Sequence, residues 1–207
     1  MMEYVKPNEI EKRSFEIIKS ELPRSIDPIL APVILRVIHT TADFEYMNTL
    51  TFSENVIERA ITALRQGVSI VSDTNMVKAG LDKTRLEAFG SDIYCFMQDE
   101  DVAKKARQNE ITRARASIDK AAALERPLIF AIGNAPTALL RICELKKAGQ
   151  LSPALVIGVP VGFVNVVESK ELLMRSEIPY ITARGRKGGS NVAAAICNAL
   201  LRIAEAR

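Results

Sequence analysis

From residue 68 onward the sequence repeats one theme: a short apolar run rich in β-branched residues, then a longer segment with helical character. The runs occupy residues 68–72, 93–97, 128–132, 154–159 and 179–183. Most are apolar at nearly every position instead of alternating. A strand covered on both faces reads that way, as in a parallel sheet held between helices. The intervening segments are long enough for crossover helices. The pattern predicts an α/β fold: a three-layer α/β/α arrangement around a doubly wound, five-stranded parallel sheet.

Helix signals agree with this. Asp99 is placed to cap a long polar helix over 100–124, which Pro127 ends. Pro136 suits the first turn of a helix that stops near Gly149. Ser190 or Gly189 opens a last helix that runs to the C-terminus. Ahead of the sheet lie two or three extra N-terminal helices, near 7–21, 28–40 and 53–66, placed to cover the sheet or to reach another subunit. Pro32 fits only a first turn, so the start of the second helix is open, but His39 lies well beyond it. No repeat, low-complexity tract or Pro/Gly-rich linker divides the chain. One domain over 1–207 is expected, with a helical part at 1–66 and an α/β core at 67–207.

Composition removes several function classes. The 207 residues carry a formal charge of only +3, which gives no global case for nucleic acid or an anionic membrane. No apolar run approaches the ~18–20 residues of a membrane span. Residues 1–10 hold charges and a proline but no apolar signal core, so a cytoplasmic location is expected. Cys95, Cys143 and Cys197 form no CxxC pair, which points to core filling and to neither a disulfide framework nor a metal site.

Ligands of open α/β sheets sit beyond the carboxyl ends of the strands. The residues that follow the five runs are Asp73-Thr74-Asn75, Gln98-Asp99, Gly133-Asn134-Ala135-Pro136-Thr137, Gly158-Val159-Pro160-Val161-Gly162-Phe163 and Arg184-Gly185-Arg186-Lys187-Gly188-Gly189-Ser190. Glycine, small polar and basic residues thus gather at one rim. The last segment says most. Its glycines allow close backbone approach, the helix behind it aims free N–H groups forward, and Arg184, Arg186 and Lys187 add positive charge. The same segment also suits a turn that merely starts a helix. It has neither the GxxxxGK[ST] nor the GxGxxG spacing. Asn134 can either meet a ligand or cap its helix, and Asp73 and Thr74 likewise.

His39 is the sole imidazole and the only side chain here with a reference pKa near neutrality, ~6.5. On a helix, Arg36 and His39 share a face. A neighbouring cation lowers a histidine's pKa and an anionic substrate raises it, so substrate arrival favours the acid form. No nucleophile elbow accompanies it. Ser14, in Ile10-Glu11-Lys12-Arg13-Ser14-Phe15-Glu16, reads as a solvent hydroxyl on a surface helix.

Taken together, these pieces resemble the precorrin-8X methylmutase family, including its cobalt-precorrin-8 branch. The resemblance runs from about Arg13 to Leu201. It is carried by Arg13-Ser14-Phe15, Arg36-Val37-Ile38-His39, Asp73 with Met76-Val77, Gly133-Asn134-Ala135-Pro136-Thr137-Ala138-Leu139, Pro160-Val161-Gly162-Phe163-Val164, Glu168-Ser169-Lys170 and Gly185-Arg186-Lys187-Gly188-Gly189-Ser190. Each fragment is weak alone; their order and spacing are specific. The resemblance implies an isomerase of cobalamin biosynthesis that moves a methyl group from C11 to C12 of the ring. It implies that His39 is the catalytic proton donor or acceptor and that Ser14 and Arg36 contact substrate. It also implies a homodimer with the pocket near the subunit interface, and no cofactor, since any cobalt belongs to the substrate. The partner is then a tetrapyrrole polycarboxylate. Arg113, Asn134, Arg186, Lys187, Gly188, Gly189 and Ser190 are candidate contacts for it, with Asp73 and Thr74. Two other readings stand beside this one: a nucleotide-dependent α/β enzyme, and a non-catalytic tetrapyrrole carrier.

Overall fold

All five apolar runs become parallel strands, each shorter than its run, and a sixth strand joins them at one edge. A computed structural model describes residues 5–206; residues 1–4 and 207 lie outside the described residues. The parallel strands are β2 (Ile70–Ser72), β3 (Ile93–Tyr94), β4 (Ile129–Ile132), β5 (Leu155–Gly158) and β6 (Tyr180–Ala183). The addition is β1 (Leu50–Phe52), which pairs antiparallel with β6, Thr51 opposite Thr182. The spatial order is β1-β6-β5-β4-β2-β3. The connections diverge between β2 and β4, which makes that gap the topological switch point.

The helices are α1 (Ile10–Glu21), α2 (Ala31–Thr41), α3 (Tyr46–Thr49), α4 (Val56–Arg65), α5 (Asn75–Gly80), α6 (Lys83–Ala88), α7 (Glu100–Gln108), α8 (Arg113–Ala122), α9 (Pro136–Lys147), α10 (Val166–Met174) and α11 (Ser190–Ala206). One face of the sheet packs residues of α2, α4, α5, α6 and α11 into a single apolar cluster. The other face packs α8, α9 and α10 into a second. The strands between them are buried on both sides, as their unbroken apolar composition requires.

The expected long helix over 100–124 is instead two helices. Glu110 adopts a left-handed backbone (φ 53°), and the Thr112 hydroxyl accepts from Arg115 N at 3.2 Å to start α8 afresh. Asp99 precedes α7 but makes no capping bond; its carboxylate takes the Lys120 ammonium at 2.7 Å. Among the described residues no helix is long and apolar enough to cross a membrane.

Two helices position the histidine. α2 begins with Pro32 in its first turn and ends at Ala42 in the left-handed region (φ 52°). Its Val33, Ile34, Leu35, Val37 and Ile38 are buried, largely against α11. The periodicity then leaves Arg36, His39 and Thr40 together on its outer face. α1 has no buried residue and rests on that outer face.

Candidate active site

His39 stands on the last turn of α2, half-buried, with its ring against α1. The Phe15 ring stacks on the imidazole, centroids 5.1 Å apart and planes 15° apart. The Arg36 guanidinium lies 4.7 Å from the centroid of the same Phe15 ring. Arg36 also pairs with the Glu11 carboxylate, which in turn receives Arg202 of α11 at 3.4 Å. Glu11 and Phe15 are four residues apart, so one face of α1 supplies both. These two, to which the sequence alone assigns no role, dock α1 on the histidine. Ser14, their neighbour, donates to Ile10 O at 2.9 Å within its own helix and is partly exposed.

Arg36 and Arg202 border two cavities. One, about 540 Å³, lies between α1, α2 and α11 and is lined by Phe15, Lys19, Pro32, Leu35 and Ile203 besides the two arginines. The other, about 310 Å³, is polar and lined by Thr40, Asp82, Asn191 and Asn198 with the same arginines. The larger falls within the ~300–1,000 Å³ of small-molecule pockets. His39 lines neither wall itself. It sits one turn along α2 from Arg36, which lines both, and touches Phe15, which lines the larger; it is half-buried and not sealed in the core.

The Arg36 guanidinium holds the Glu11 carboxyl below its ordinary 4.5. A carboxylate lowered in this way contributes its docking energy above the ordinary pKa. It loses that energy as pH falls through the lowered, folded value. Protection of α1 amides against hydrogen exchange should therefore hold at neutral pH and fall in acid. Glu11→Gln should show the acid behaviour at pH 7. Unchanged exchange in that variant would mean that the ion pair does not hold α1.

The glycine-rich segment lies just past the end of α2. Lys187 donates to Asp43 at 2.6 Å and to Glu45 at 2.5 Å, which ties the loop to the residues after His39. Those bonds hold the Asp43 carboxyl below its usual range and raise the lysine. Arg186 lies 5.3 Å from the centroid of the Phe163 ring, which is 80% exposed. Gly188 presses on the end of β5: a Cβ there would stand 2.1 Å from Val159 O. Gly189 has φ +130°, and its N–H donates to Val159 O at 2.8 Å. Gly133 is also too tight for a side chain, with Ser190 Cα 2.7 Å from where its Cβ would be. The Ser190 and Thr74 hydroxyls are 2.9 Å apart. The loops after β2, β4 and β6 thus converge, as the rim residues predict.

At the switch point the protein supplies its own anion. Asp73 is buried, and its carboxylate accepts from Gly133 N (2.9 Å), Asn134 N (2.8 Å) and Ala135 N (2.6 Å). Burial pushes its carboxyl up, against the pull of those three bonds. Of the two roles open to Asp73 and Thr74, contact or cap of the next helix, Thr74 makes the cap, while Asp73 caps no helix and instead receives the backbone of the turn before α9. Thr74 accepts from Val77 N at 3.2 Å to start α5, and Asp73 holds the turn into α9. Asn134 does not cap α9; its side chain is exposed at the rim. Arg113 is the first residue of α8, exposed, beside the Thr112–Thr137 hydroxyl pair (2.9 Å) that links α8 to α9. It therefore stands at a helix start, not in the middle of a long helix.

Known proteins share this architecture. The family model for precorrin-8X methylmutase matches residues 9–203. A cobalt-precorrin-8 methylmutase of Priestia megaterium is 45% identical, covering 97% of this chain and 90% of that protein. One of Salmonella typhimurium is 44% identical, covering 97% of each. The solved precorrin-8x methyl mutase of Thermus thermophilus superposes with a TM-score of 0.88 at 39% identity, over 96% of this chain and 98% of that one. The match spans the histidine helix, the switch-point turn and the glycine loop alike, and by it this chain belongs to the precorrin-8X methylmutase family of isomerases.

Proposed function

We propose that this enzyme moves a methyl group from C11 to C12 of precorrin-8X or cobalt-precorrin-8, giving hydrogenobyrinate or cobyrinate in cobalamin biosynthesis. The observation that carries the reading is the cluster of His39 and Arg36 on one face of α2 with Phe15, next to Ser14, packed over both. These are the positions that the family resemblance gives to catalysis and substrate contact. The C11–methyl bond breaks as the C12–methyl bond forms, a concerted 1,5-shift that needs no covalent nucleophile and no cofactor from the protein. His39 lends a proton or a hydrogen bond to ring C and takes it back, stabilising charge in the rearranging π-system.

The macrocycle is a polyanion, and the rim offers what it needs. Arg36, Arg186 and Lys187 pair with its carboxylates; Lys187 exchanges Asp43 and Glu45 for one of them. Ser14, Arg113, Asn134 and Ser190 add donors, and Gly188 and Gly189 let the backbone come close. Asp73 and Thr74 keep these loops in place. A second subunit of a cytoplasmic homodimer would enclose the part of the ring that the open cavities leave uncovered.

A nucleotide-dependent reading fares worse. The turn into α9 at the switch point, where a doubly wound fold receives phosphate, already has its Asn134 and Ala135 N–H groups on the Asp73 carboxylate. A carrier reading is separated by turnover. Incubation with cobalt-precorrin-8 and, separately, precorrin-8X should change the absorption spectrum to that of the corrin product with at least one of them. The relatives at 44–45% identity are named for the cobalt form, so it is the first to try. Binding without spectral change would mark a carrier.

Gly188→Ala tests the loop. Its Cβ has no room against Val159 O, so the loop must move by about an ångström. A displacement of that size costs about 10²-fold. The loss should appear in kcat/KM with the protein still folded; a wild-type kcat/KM would remove this loop from the site.

A further inference from the structure

Lys170 lies on α10, in the segment Glu168-Ser169-Lys170, and is only 1% exposed. Its ammonium donates to Gly185 O at 2.9 Å and to Lys187 O at 2.7 Å. The carbonyl between them, Arg186 O, accepts from Gly162 N at 3.2 Å. Three successive carbonyls of the glycine loop are therefore taken by the protein's own donors, two of them by the buried lysine. A loop that faces its acceptors inward presents what is left, its N–H groups and its cationic side chains, to the outside. No carboxylate pairs with Lys170 among the described residues, and burial lowers its pKa to about 8. A buried cation without a counter-ion is costly to keep. A neutral donor would hold two carbonyls as well; a charge beneath the loop also attracts an anion above it.

We propose that Lys170 is a positioning residue that orients the 185–187 backbone and charges its underside, so that the loop receives substrate carboxylates. The proposal rests on the reading of that loop as the carboxylate-binding rim. Lys170 does not touch the reacting atoms, and its effect belongs to binding.

The test is Lys170→Met, which keeps length and removes donors and charge, beside Lys170→Gln, which keeps neutral donors. Each is titrated with the corrin product, assayed with the substrate that the wild type converts, and melted by circular dichroism. Loss of charge-assisted bonds predicts a rise of about tenfold or more in product Kd and in KM for Lys170→Met. Its kcat at saturation should stay within about threefold of wild type, and Lys170→Gln should fall between the two. A folded Lys170→Met with wild-type Kd and KM would overturn the proposal, as would a fall in kcat at unchanged KM. Should Lys170→Met fail to fold, Lys170→Gln is judged alone, and wild-type affinity there overturns it too. Failure of both to fold would make the lysine a folding requirement and also overturn it. A wild-type protein that neither binds the corrin nor converts substrate would strike the substrate reading itself, which the wild-type arm reports separately.

Discussion

Replacing His39 with alanine is expected to lower turnover by about 10²–10⁴-fold, the range that a positioned proton donor supplies. The fold should survive, because the imidazole contributes no part of the core. Its neighbours Val37 and Ile38 bury their side chains against α11, while His39 stays on the opposite face with Phe15. Product binding should also survive in large part, since the carboxylates are held by Arg36 and by the glycine loop. The expected signature is a fall in kcat with a nearly unchanged product Kd and melting temperature. A variant that turns over at the wild-type rate would remove His39 from the chemistry.

The second large effect concerns stability. Asp73→Ala would strip three buried or half-buried N–H groups of their acceptor at the start of α9. Each orphaned donor costs ~1–3 kcal/mol, although the variant also escapes the cost of burying a carboxylate. The net loss should be roughly 3 kcal/mol. For a chain of this size that is a fall of about 6–12 °C in Tm. Activity should fall with it, since Gly133 packs directly against Ser190 and the turn that Asp73 holds fixes the glycine loop. Calorimetry showing a melting temperature within about 2 °C of wild type would mean that water replaces the carboxylate at little cost.

Much of the fold is legible in the sequence, for physical reasons. The five parallel strands announce themselves because strands covered on both faces must be apolar throughout. The rim is legible because turns that approach other backbone need glycine, and a helix start favours small polar residues. The edge strand β1 is not, since Leu50-Thr51-Phe52 is three residues long, too short for its apolar–polar–apolar order to stand out. The break between α7 and α8 is hidden because Glu110 takes a left-handed backbone without glycine or proline to mark it. Asp73 and Lys170 are visible as residues but not as roles. Asp73 meets its amides 60–62 positions away, and Lys170 meets its carbonyls only after β6 has crossed into place. Glu11 and Phe15 have the spacing of one helix face, but their importance depends on α1 lying over α2, which tertiary packing decides.

Where the macrocycle lies relative to one imidazole decides the mechanism. A crystal structure of the enzyme with the corrin product bound measures that directly. It should show His39 within hydrogen-bond reach of ring C, at about 3 Å or through one water, with Arg36 and the 185–190 segment on the ring's carboxylate arms. A corrin seated with ring C far from His39, and with its carboxylates on other residues, would contradict it.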